Sequence, residues 1–217
     1  MTRSFRCPTR VVACVAALQM FGATTVAAQR ASLMAVFGGT SHDLLDRPFG
    51  PAFSLATPVG RRVDLSLMVS RLDGSSNGTG VVCGGLINPN QCPSEPFKRK
   101  GRLSLIGLGA DVHLATTRMA TVSVQPQFVW GRARTETNGQ TTGNRLFSDK
   151  GQLGFSGGLE LRAFPAPRRP LGVVVGGTLG TLGPAITDRI DDGYTPFNDW
   201  YRVQTLYVGL AWESRRR

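Results

Sequence analysis

The chain contains segments in which apolar and polar side chains alternate with a period of two. The clearest lies between Arg62 and Arg71, where one set of side chains is apolar and the other polar. The apolar set is Val63, Leu65, Leu67 and Val69, and the opposite set, polar except for one methionine, is Asp64, Ser66, Met68 and Ser70. Successive side chains of a β-strand point to opposite faces, so this pattern predicts a strand with one face suited to hydrocarbon and one face carrying charge.

Similar patterns, weaker in places, predict seven further strands. They cover residues 31–39, 51–57, 102–114, 120–132, 152–164, 171–181 and 200–212. Within 120–132, Pro126 cannot donate a ladder hydrogen bond, which predicts a missing bond or a bulge there. A strand of roughly eleven residues, tilted by about 40°, covers about 25 Å, which is the height of the apolar band of a membrane barrel.

The connections between these strands alternate in length. Polar segments without periodicity cover residues 72–100, 134–150 and 183–199, and we expect these to be long loops. Short connections separate them, and a medium one follows the first strand. In an up-and-down barrel every second connection lies at the same end, and outer-membrane barrels have short periplasmic turns and long external loops. The order therefore predicts an all-β, antiparallel, eight-stranded up-and-down barrel.

The N-terminus has the pattern of a secretory signal peptide. Arg3, Arg6 and Arg10 precede an apolar run over 11–23, and small residues occupy 26–28. We expect residues 1–28 to be removed, leaving one domain over 29–217. No apolar run after residue 28 reaches the about 18 residues of a membrane-spanning helix.

Charge and cysteine content argue against two classes of function, nucleic-acid binding and zinc binding. The net charge of +11 becomes +8 without the three signal-peptide arginines, and the remaining basic residues are dispersed among predicted loops and turns. This distribution argues against a nucleic-acid partner. Cys83 and Cys92 lie in one predicted loop of an exported chain, which favours a disulfide over a zinc site.

Seven polar side chains are predicted to face the barrel interior: Asp64, Asp111, His113, Gln125, Gln127, Glu160 and Arg162. Eight strands leave just enough room for side chains, and opposite buried charges should pair. We therefore expect a polar, plugged interior. The alternative is a lipid hydrolase or acyltransferase with His113 as base and Ser66 or Ser123 as nucleophile. No G-x-S-x-G sequence lies at a predicted strand-to-helix turn, where a nucleophile elbow would form, so we expect no catalytic centre. We likewise expect no cofactor and no metal ion.

Aromatic residues near the predicted strand ends indicate two interfacial girdles. Trp130, Trp200 and Tyr201 would lie near the external end and Trp212 near the periplasmic end. Outward Arg132 and Arg202 near the external rim could extend to the water or meet anionic lipid headgroups.

The signal peptide, the alternating strands, the alternating connections and the outward Trp212 together resemble the small outer-membrane barrels of the OmpA/OmpX type, over essentially the whole mature chain. The resemblance implies a porin-like transmembrane barrel in the outer membrane of a Gram-negative-type envelope, surrounded by outer-membrane lipid. In that family an aromatic residue usually ends the chain and contributes to recognition by the barrel-assembly machinery; here residues 213–217 follow Trp212 as a polar tail.

Three functions are compatible with the predicted barrel. The first is a structural or surface-interaction protein whose external loops could meet a partner. The second is a narrow channel for ions or small solutes. The third is a soluble, lipocalin-like barrel that binds an apolar ligand, in which Leu65, Leu67, Leu206 and Leu210 would face inward.

Overall fold

The computed structural model describes residues 29–40, 45–82, 94–165, 169–190 and 201–214. The strands are β1 (Arg30–Thr40), β2 (Asp46–Pro58), β3 (Val63–Val81), β4 (Ser94–Thr116), β5 (Ala120–Val124), β6 (Gln127–Gly139), β7 (Arg145–Ala163), β8 (Leu171–Ile190) and β9 (Tyr201–Glu213). The predicted signal peptide, the Cys83–Cys92 pair and Trp200 lie outside the described residues and stay predictions.

The strands form one closed antiparallel ring. Strands that follow one another in the chain pair with each other, except that β5 and β6 each pair with β4 and β7. β9 returns to β1 in a register that runs from Arg30 opposite Glu213 to Thr40 opposite Val203. Glu213 therefore ends β9, and its predicted place in a polar tail was wrong. The predicted eight-stranded up-and-down barrel is confirmed, with β5 and β6 together occupying one place in the ring.

The break between β5 and β6 lies at Gln125 and Pro126, where proline lacks the amide hydrogen that a ladder needs. The backbones of Gln125 and Gly158 still exchange hydrogen bonds, at 2.9 and 3.1 Å, and the Ala110 amide donates to the Pro126 carbonyl at 3.1 Å. The wall of the barrel is therefore continuous across the interruption.

The predicted long loops were wrong in extent. β3 continues to Val81 and β4 begins at Ser94, so the segment 72–100 is mostly a two-stranded ladder. Likewise β6 extends to Gly139, β7 begins at Arg145, and β8 extends to Ile190. These extensions have polar residues on both faces, so they lack the alternation that marks a strand with one apolar face, while the ladder still satisfies their backbone groups.

The barrel has two distinct ends. At the long-loop end the strands are joined through residues 41–45, 82–93, 140–144 and 191–200, and at the short-turn end through 59–62, 117–119 and 164–170. Gln29 and Ser214 lie together at the short-turn end, since the Ser214 amide donates to the Gln29 carbonyl at 2.9 Å.

Large apolar side chains cover the outer wall. Leu206 is 69% exposed and Leu67 is 38% exposed, and Leu65 and Leu210 are exposed as well. We call this surface the apolar belt; it includes Leu33, Phe53, Leu65, Leu67, Ile106, Leu108, Phe128, Leu153, Phe155, Leu159, Val173, Val175, Leu206, Val208 and Leu210. An exposed apolar surface of this extent marks a contact with membrane or partner, and its direction is the reverse of the lipocalin-like alternative.

No helix within the described ranges has the length and apolar character needed to cross a bilayer.

Candidate functional site

The barrel interior collects the polar side chains that the alternation assigns to the inner face. The structure places all seven predicted residues there, each of them buried: Asp64, Asp111, His113, Gln125, Gln127, Glu160 and Arg162. They belong to β3, β4, the β5–β6 junction and β7, on the face opposite the apolar belt. The strand periodicity thus positions these groups within one lumen.

Arg162 lies at the centre of the larger of two polar clusters. Its terminal NH2 donates to Asp111 Oδ2 at 2.7 Å, and its Nε lies 2.5 Å from Glu160 Oε1. Gln125 Nε2 donates to the other oxygen of Asp111 at 3.1 Å. Asp111 is fully buried and Arg162 is 3% exposed, so the attraction between the charges must offset a large cost of removing them from water.

Tyr207 joins the same cluster from β9. Its hydroxyl lies 2.8 Å from Gln125 Oε1 and 3.1 Å from Glu160 Oε2, and it donates towards them. Its ring lies against the bare wall at Gly176, where an added Cβ would be 2.5 Å from the hydroxyl oxygen. The predicted network omitted Tyr207, although its alternation with Leu206 and Val208 already assigned it to the inner face.

The second cluster lies nearer the short-turn end. Arg30 forms a salt bridge with Asp64, and its NH1 is 2.8 Å from His113 Nε2. His113 Nε2 is 3.2 Å from Asp64 Oδ2, and Arg30 Nε is 3.4 Å from Glu213 Oε2. The prediction missed Arg30 and Glu213. Arg30 had a usable signal, because it shares the inward phase of Ser32 and Met34.

The two clusters meet at a pair of carboxylates. Asp64 and Asp111 are register partners on β3 and β4, and like charges directly opposite each other are destabilising. Arg30 serves one carboxylate and Arg162 serves the other. Each of the two adjacent buried carboxylates therefore has its own arginine, and the two arginines come from different strands.

Gln127 and the serines of the hydrolase alternative stand apart from these contacts. Within the described part of the chain, Gln127 Oε1 and Ser66 Oγ have no hydrogen-bond partner. Ser123 is the register partner of His113. The Nε2 atom of His113, however, contacts Arg30 and Asp64.

Towards the long-loop end the inner face becomes apolar. Leu72 and Leu103 are fully buried, Leu182 is 2% exposed, and Leu45 reaches inward from the connection between β1 and β2. We call these residues, together with Leu105, the leucine layer. An added Cβ at Gly131 would lie 2.7 Å from Leu182 Cδ1 and 3.3 Å from Leu105 Cδ2, so these side chains pack across a wall that has no side chain of its own. The predicted polar interior did not include this apolar layer.

A small cavity separates the leucine layer from the Arg162 cluster. Its volume is about 30 Å³, and its lining includes Met68, Leu105, Thr178, Thr205 and Tyr207. The hydroxyls of Thr178 and Thr205, which are register partners on β8 and β9, lie 2.7 Å apart in its wall. A space of this size accommodates about one or two water molecules.

The predicted aromatic girdles are described in part. Trp130 and Trp212 face outward and are 40% and 44% exposed. Tyr201 begins β9, and Trp200 lies outside the described residues. In the described ranges no group of three or more His, Cys, Asp or Glu side chains is arranged to hold a metal ion.

Comparison with solved structures places this geometry among outer-membrane barrels. Neisserial surface protein A is 16% identical with a TM-score of 0.53, covering 85% of this chain and 97% of that one. A major outer membrane protein from Thermus thermophilus is 14% identical with a TM-score of 0.53, covering 87% and 100%. Ail, the attachment invasion locus protein of Yersinia pestis, is 9% identical with a TM-score of 0.51, covering 88% and 100%.

Comparisons by sequence gave no relatives. No protein-family model matches the chain, and no curated protein matches it. At these identities the structural likeness establishes the fold. The closed ring, the outward apolar belt and these neighbours together show that the chain has the fold of the small eight-stranded outer-membrane β-barrels.

Proposed function

We propose that this protein resides in an outer membrane as a closed barrel with a structural and surface-interaction role, and that it has neither an open channel nor a catalytic centre. The observation that carries the proposal is the burial of side chains at two levels of the lumen. The Arg162 cluster lies at one level and the leucine layer at the next, and the small cavity lies between them.

Membrane residence is supported by the apolar belt and by the two ends of the barrel. A belt that faces hydrocarbon needs a closed ring, because an open sheet edge would leave backbone groups unpaired in lipid. The short-turn end would face the periplasm and the long-loop end the exterior. The predicted signal peptide would export the chain, and the outward Trp212 would contribute to recognition by the assembly machinery.

A closed lumen is supported by the chemical character of the leucine layer and of the Arg162 cluster. Ions crossing the leucine layer would lose their hydration to apolar side chains, and ions crossing the Arg162 cluster would have to separate paired buried charges. The contacts of His113 Nε2 with Arg30 and Asp64 support a structural role for this histidine over that of a base acting on a serine.

A surface role is supported by the strand extensions. β3 continues ten residues beyond Arg71 to Val81, which is about 30 Å along the strand. The connections at this end are thereby carried well beyond the apolar belt. Ail, which shares this architecture, is described as an attachment invasion locus protein. We infer that the extended end of this barrel meets an external partner.

Conductance in planar bilayers tests the closed lumen. The refolded barrel should show no steady current, with insertion established separately by heat-modifiable gel mobility and protease protection. The double variant Leu103→Ala, Tyr207→Ala removes one side chain from each filled level and should increase conductance. The outward double variant Leu108→Ala, Leu206→Ala is the control and should remain silent. A steady ohmic current through the unaltered, inserted barrel would favour the narrow channel and overturn the proposal.

A further inference from the structure

Four arginines lie together on the outer wall, just beyond the apolar belt. We call Arg71, Arg102, Arg132 and Arg134 the arginine cluster; they lie on β3, β4 and β6, and their side chains are 42 to 52% exposed. Ser104 is the register partner of both Arg71 and Arg132, and Arg102 is the partner of Arg134. The four guanidinium groups therefore extend from positions that surround Ser104.

Two carboxylates flank this cluster without neutralising it. Asp73 accepts from Arg102 Nε at 2.8 Å and from Arg71 Nε at 3.2 Å. Asp149 accepts two bonds from Arg132, at 2.7 and 2.8 Å, and one from Arg134 Nε at 3.0 Å. Four positive charges against two negative charges leave +2. Among the described residues, the Asp73 and Asp149 bonds use only Nε of Arg71, Arg102 and Arg134, so the terminal nitrogens of these three side chains can bind another acceptor.

The order of charges across the strands leaves a place for an anion. Along one register row, Asp73 is opposite Arg102, Arg102 is opposite Arg134, and Arg134 is opposite Asp149. The two carboxylates thus lie on the outer sides of two adjacent cations. Like charges directly opposite each other are destabilising, and an anion between them would relieve the repulsion. The short side chain of Ser104 leaves room at this point.

The position of the cluster identifies the kind of anion. On each of the four strands β3, β4, β6 and β7, the outward side chains nearest the cluster on the membrane side are apolar: Val69, Ile106, Trp130 and Leu153. All four are exposed members of the outer wall. Arginine can keep its stem on such a surface while its planar head binds phosphate through two parallel hydrogen bonds.

The neighbouring strands β1 and β2 lack this charge pattern. Their outward Phe37 and Phe49 pack together with ring centroids 5.1 Å apart. The arginine cluster lies on the side of the barrel formed by β3, β4 and β6, where it adjoins the apolar belt. We propose that the arginine cluster binds the phosphate group of an anionic lipid in the external leaflet, over Ser104. This inference rests on the proposed membrane residence.

Lipid binding by matched charge variants tests the site. The barrel would be placed in phosphatidylcholine nanodiscs containing increasing fractions of lipid A, a phosphorylated glycolipid, and retained lipid A counted by native mass spectrometry. The test variant is Arg102→Gln, Arg134→Gln. The control is Lys98→Gln, Arg145→Gln, which removes the same charge from exposed outward positions nearer the long-loop end. Lys98 is four residues from Arg102, about 13 Å along β4.

The test variant should need roughly 30-fold more lipid A for half-occupancy, since each basic side chain near a membrane surface contributes about 1 kcal/mol. The control should change less than about threefold. Equal weakening in both variants would indicate general charge attraction and overturn the site, as would absence of retained lipid A on the unaltered barrel. Failure to enter plain phosphatidylcholine nanodiscs would instead overturn membrane residence, and the site with it.

Discussion

Arg162 is the cation at the centre of the larger buried polar cluster. Its guanidinium balances both Asp111 and Glu160, and all three side chains are buried. Removing one member of such a group leaves the others charged and unpaired away from water, which costs more than the group contributes when intact.

We expect Arg162→Met to lower the free energy of unfolding by about 3–5 kcal/mol, because Asp111 and Glu160 would lose their cation. Urea unfolding in phosphatidylcholine vesicles, followed by gel mobility, measures this. Arg134→Met is the control, since Arg134 pairs with Asp149 at the exposed surface and its loss should cost at most about 1 kcal/mol. Similar losses at both positions would contradict the assignment of Arg162.

Gly176 provides a second test at the residue scale. We expect Gly176→Ala to displace the Tyr207 ring and to shift the wall at Leu159. The added Cβ would lie 2.5 Å from Tyr207 Cζ and from its hydroxyl oxygen, and 2.6 Å from the Leu159 carbonyl oxygen. The lost hydrogen bonds should lower the free energy of unfolding by about 1–3 kcal/mol in the same urea assay. Gly157→Ala is the control, since an added Cβ there meets nothing within 4 Å. In a Tyr207→Ala background, which removes the ring, the Gly176→Ala effect should shrink to the cost of the Leu159 contact. An undiminished effect would show that the loss of stability does not come from displacement of Tyr207.

The alternation of side chains predicted the face of each residue but not its partners. Asp111 and Arg162 were assigned to the lumen from their own strands, yet β4 and β7 become neighbours only through β5 and β6. Tyr207 and Arg30 had the correct phase and were overlooked as members of the network. Which inward groups meet depends on the stagger between strands that are distant in sequence, and a period of two carries no information about that stagger.

At the scale of elements, the long-loop end is tied together by side chains. The Glu95 carboxylate, at the start of β4, accepts from the amides of Thr141 and Thr142 at 2.8 and 2.9 Å and from the Thr142 hydroxyl. Asn144 Nδ2 donates to the Val82 carbonyl at 3.0 Å. These bonds fasten the connection 140–144 to the neighbouring β3–β4 hairpin.

This attachment should depend on pH. The hydrogen bonds from the Thr142 hydroxyl and amide, and then from the Thr141 amide, lower the pKa of Glu95 below its usual 4.5. A lowered pKa in the folded state means that the ionised carboxylate stabilises the attachment at neutral pH, and that this contribution is lost as the pH falls below about 4.5.

Hydrogen exchange at the Thr141 and Thr142 amides, corrected for intrinsic rates, measures the effect. We expect protection at pH 7, loss of protection in acid, and weak, pH-independent protection in Glu95→Gln. Glu136→Gln, on the outer face of β6, should behave like the unaltered protein. Retention of full protection in Glu95→Gln would show that the carboxylate does not hold this connection.

The extensions of β3, β4, β6 and β7 show where element prediction fails. Their residues face water outside, so the inner and outer sets do not differ enough in polarity to produce alternation. Thr135 and Thr137 are buried in the lumen although they read as loop residues. Strand ends beyond the apolar belt are specified by backbone pairing with their neighbours, which the residue pattern alone does not record.

For the whole molecule, we expect the free energy of unfolding in a bilayer to depend on the apolar belt. We expect Leu67→Arg to lower the free energy of unfolding in phosphatidylcholine vesicles by about 2–4 kcal/mol, because a charge would face hydrocarbon. Asn77→Arg, on the same strand and the same outer face but far beyond the belt, is the control and should be nearly neutral. Urea titration of both variants measures this. A cost at Asn77 equal to that at Leu67 would contradict the placement of the membrane.

The architecture itself was predictable because two independent patterns agreed, the alternation within strands and the alternation of connections. The leucine layer was not predicted. Leu103 and Leu105 share the inward phase of Asp111 and His113, but leucine is also the commonest residue of the outer face, and Leu72 and Leu182 adjoin polar segments that indicated loops. From the sequence alone, a leucine at such a boundary fits the lumen as well as the outer face, and the pairing of the strands into a ring decides between them.

Arg30 and Glu213 lie in register on the first and last strands, so the salt bridge between them joins the ends of the sheet. Every other strand pair can form as a neighbouring hairpin while the chain is still being delivered to the membrane. The seam between β1 and β9 cannot, and until it closes both strands expose unpaired amides and carbonyls that invite aggregation. Pairing of β1 with β9 is therefore the step that closes the ring. Loss of β9 would leave an open sheet whose edge strands could not satisfy their backbone groups in lipid.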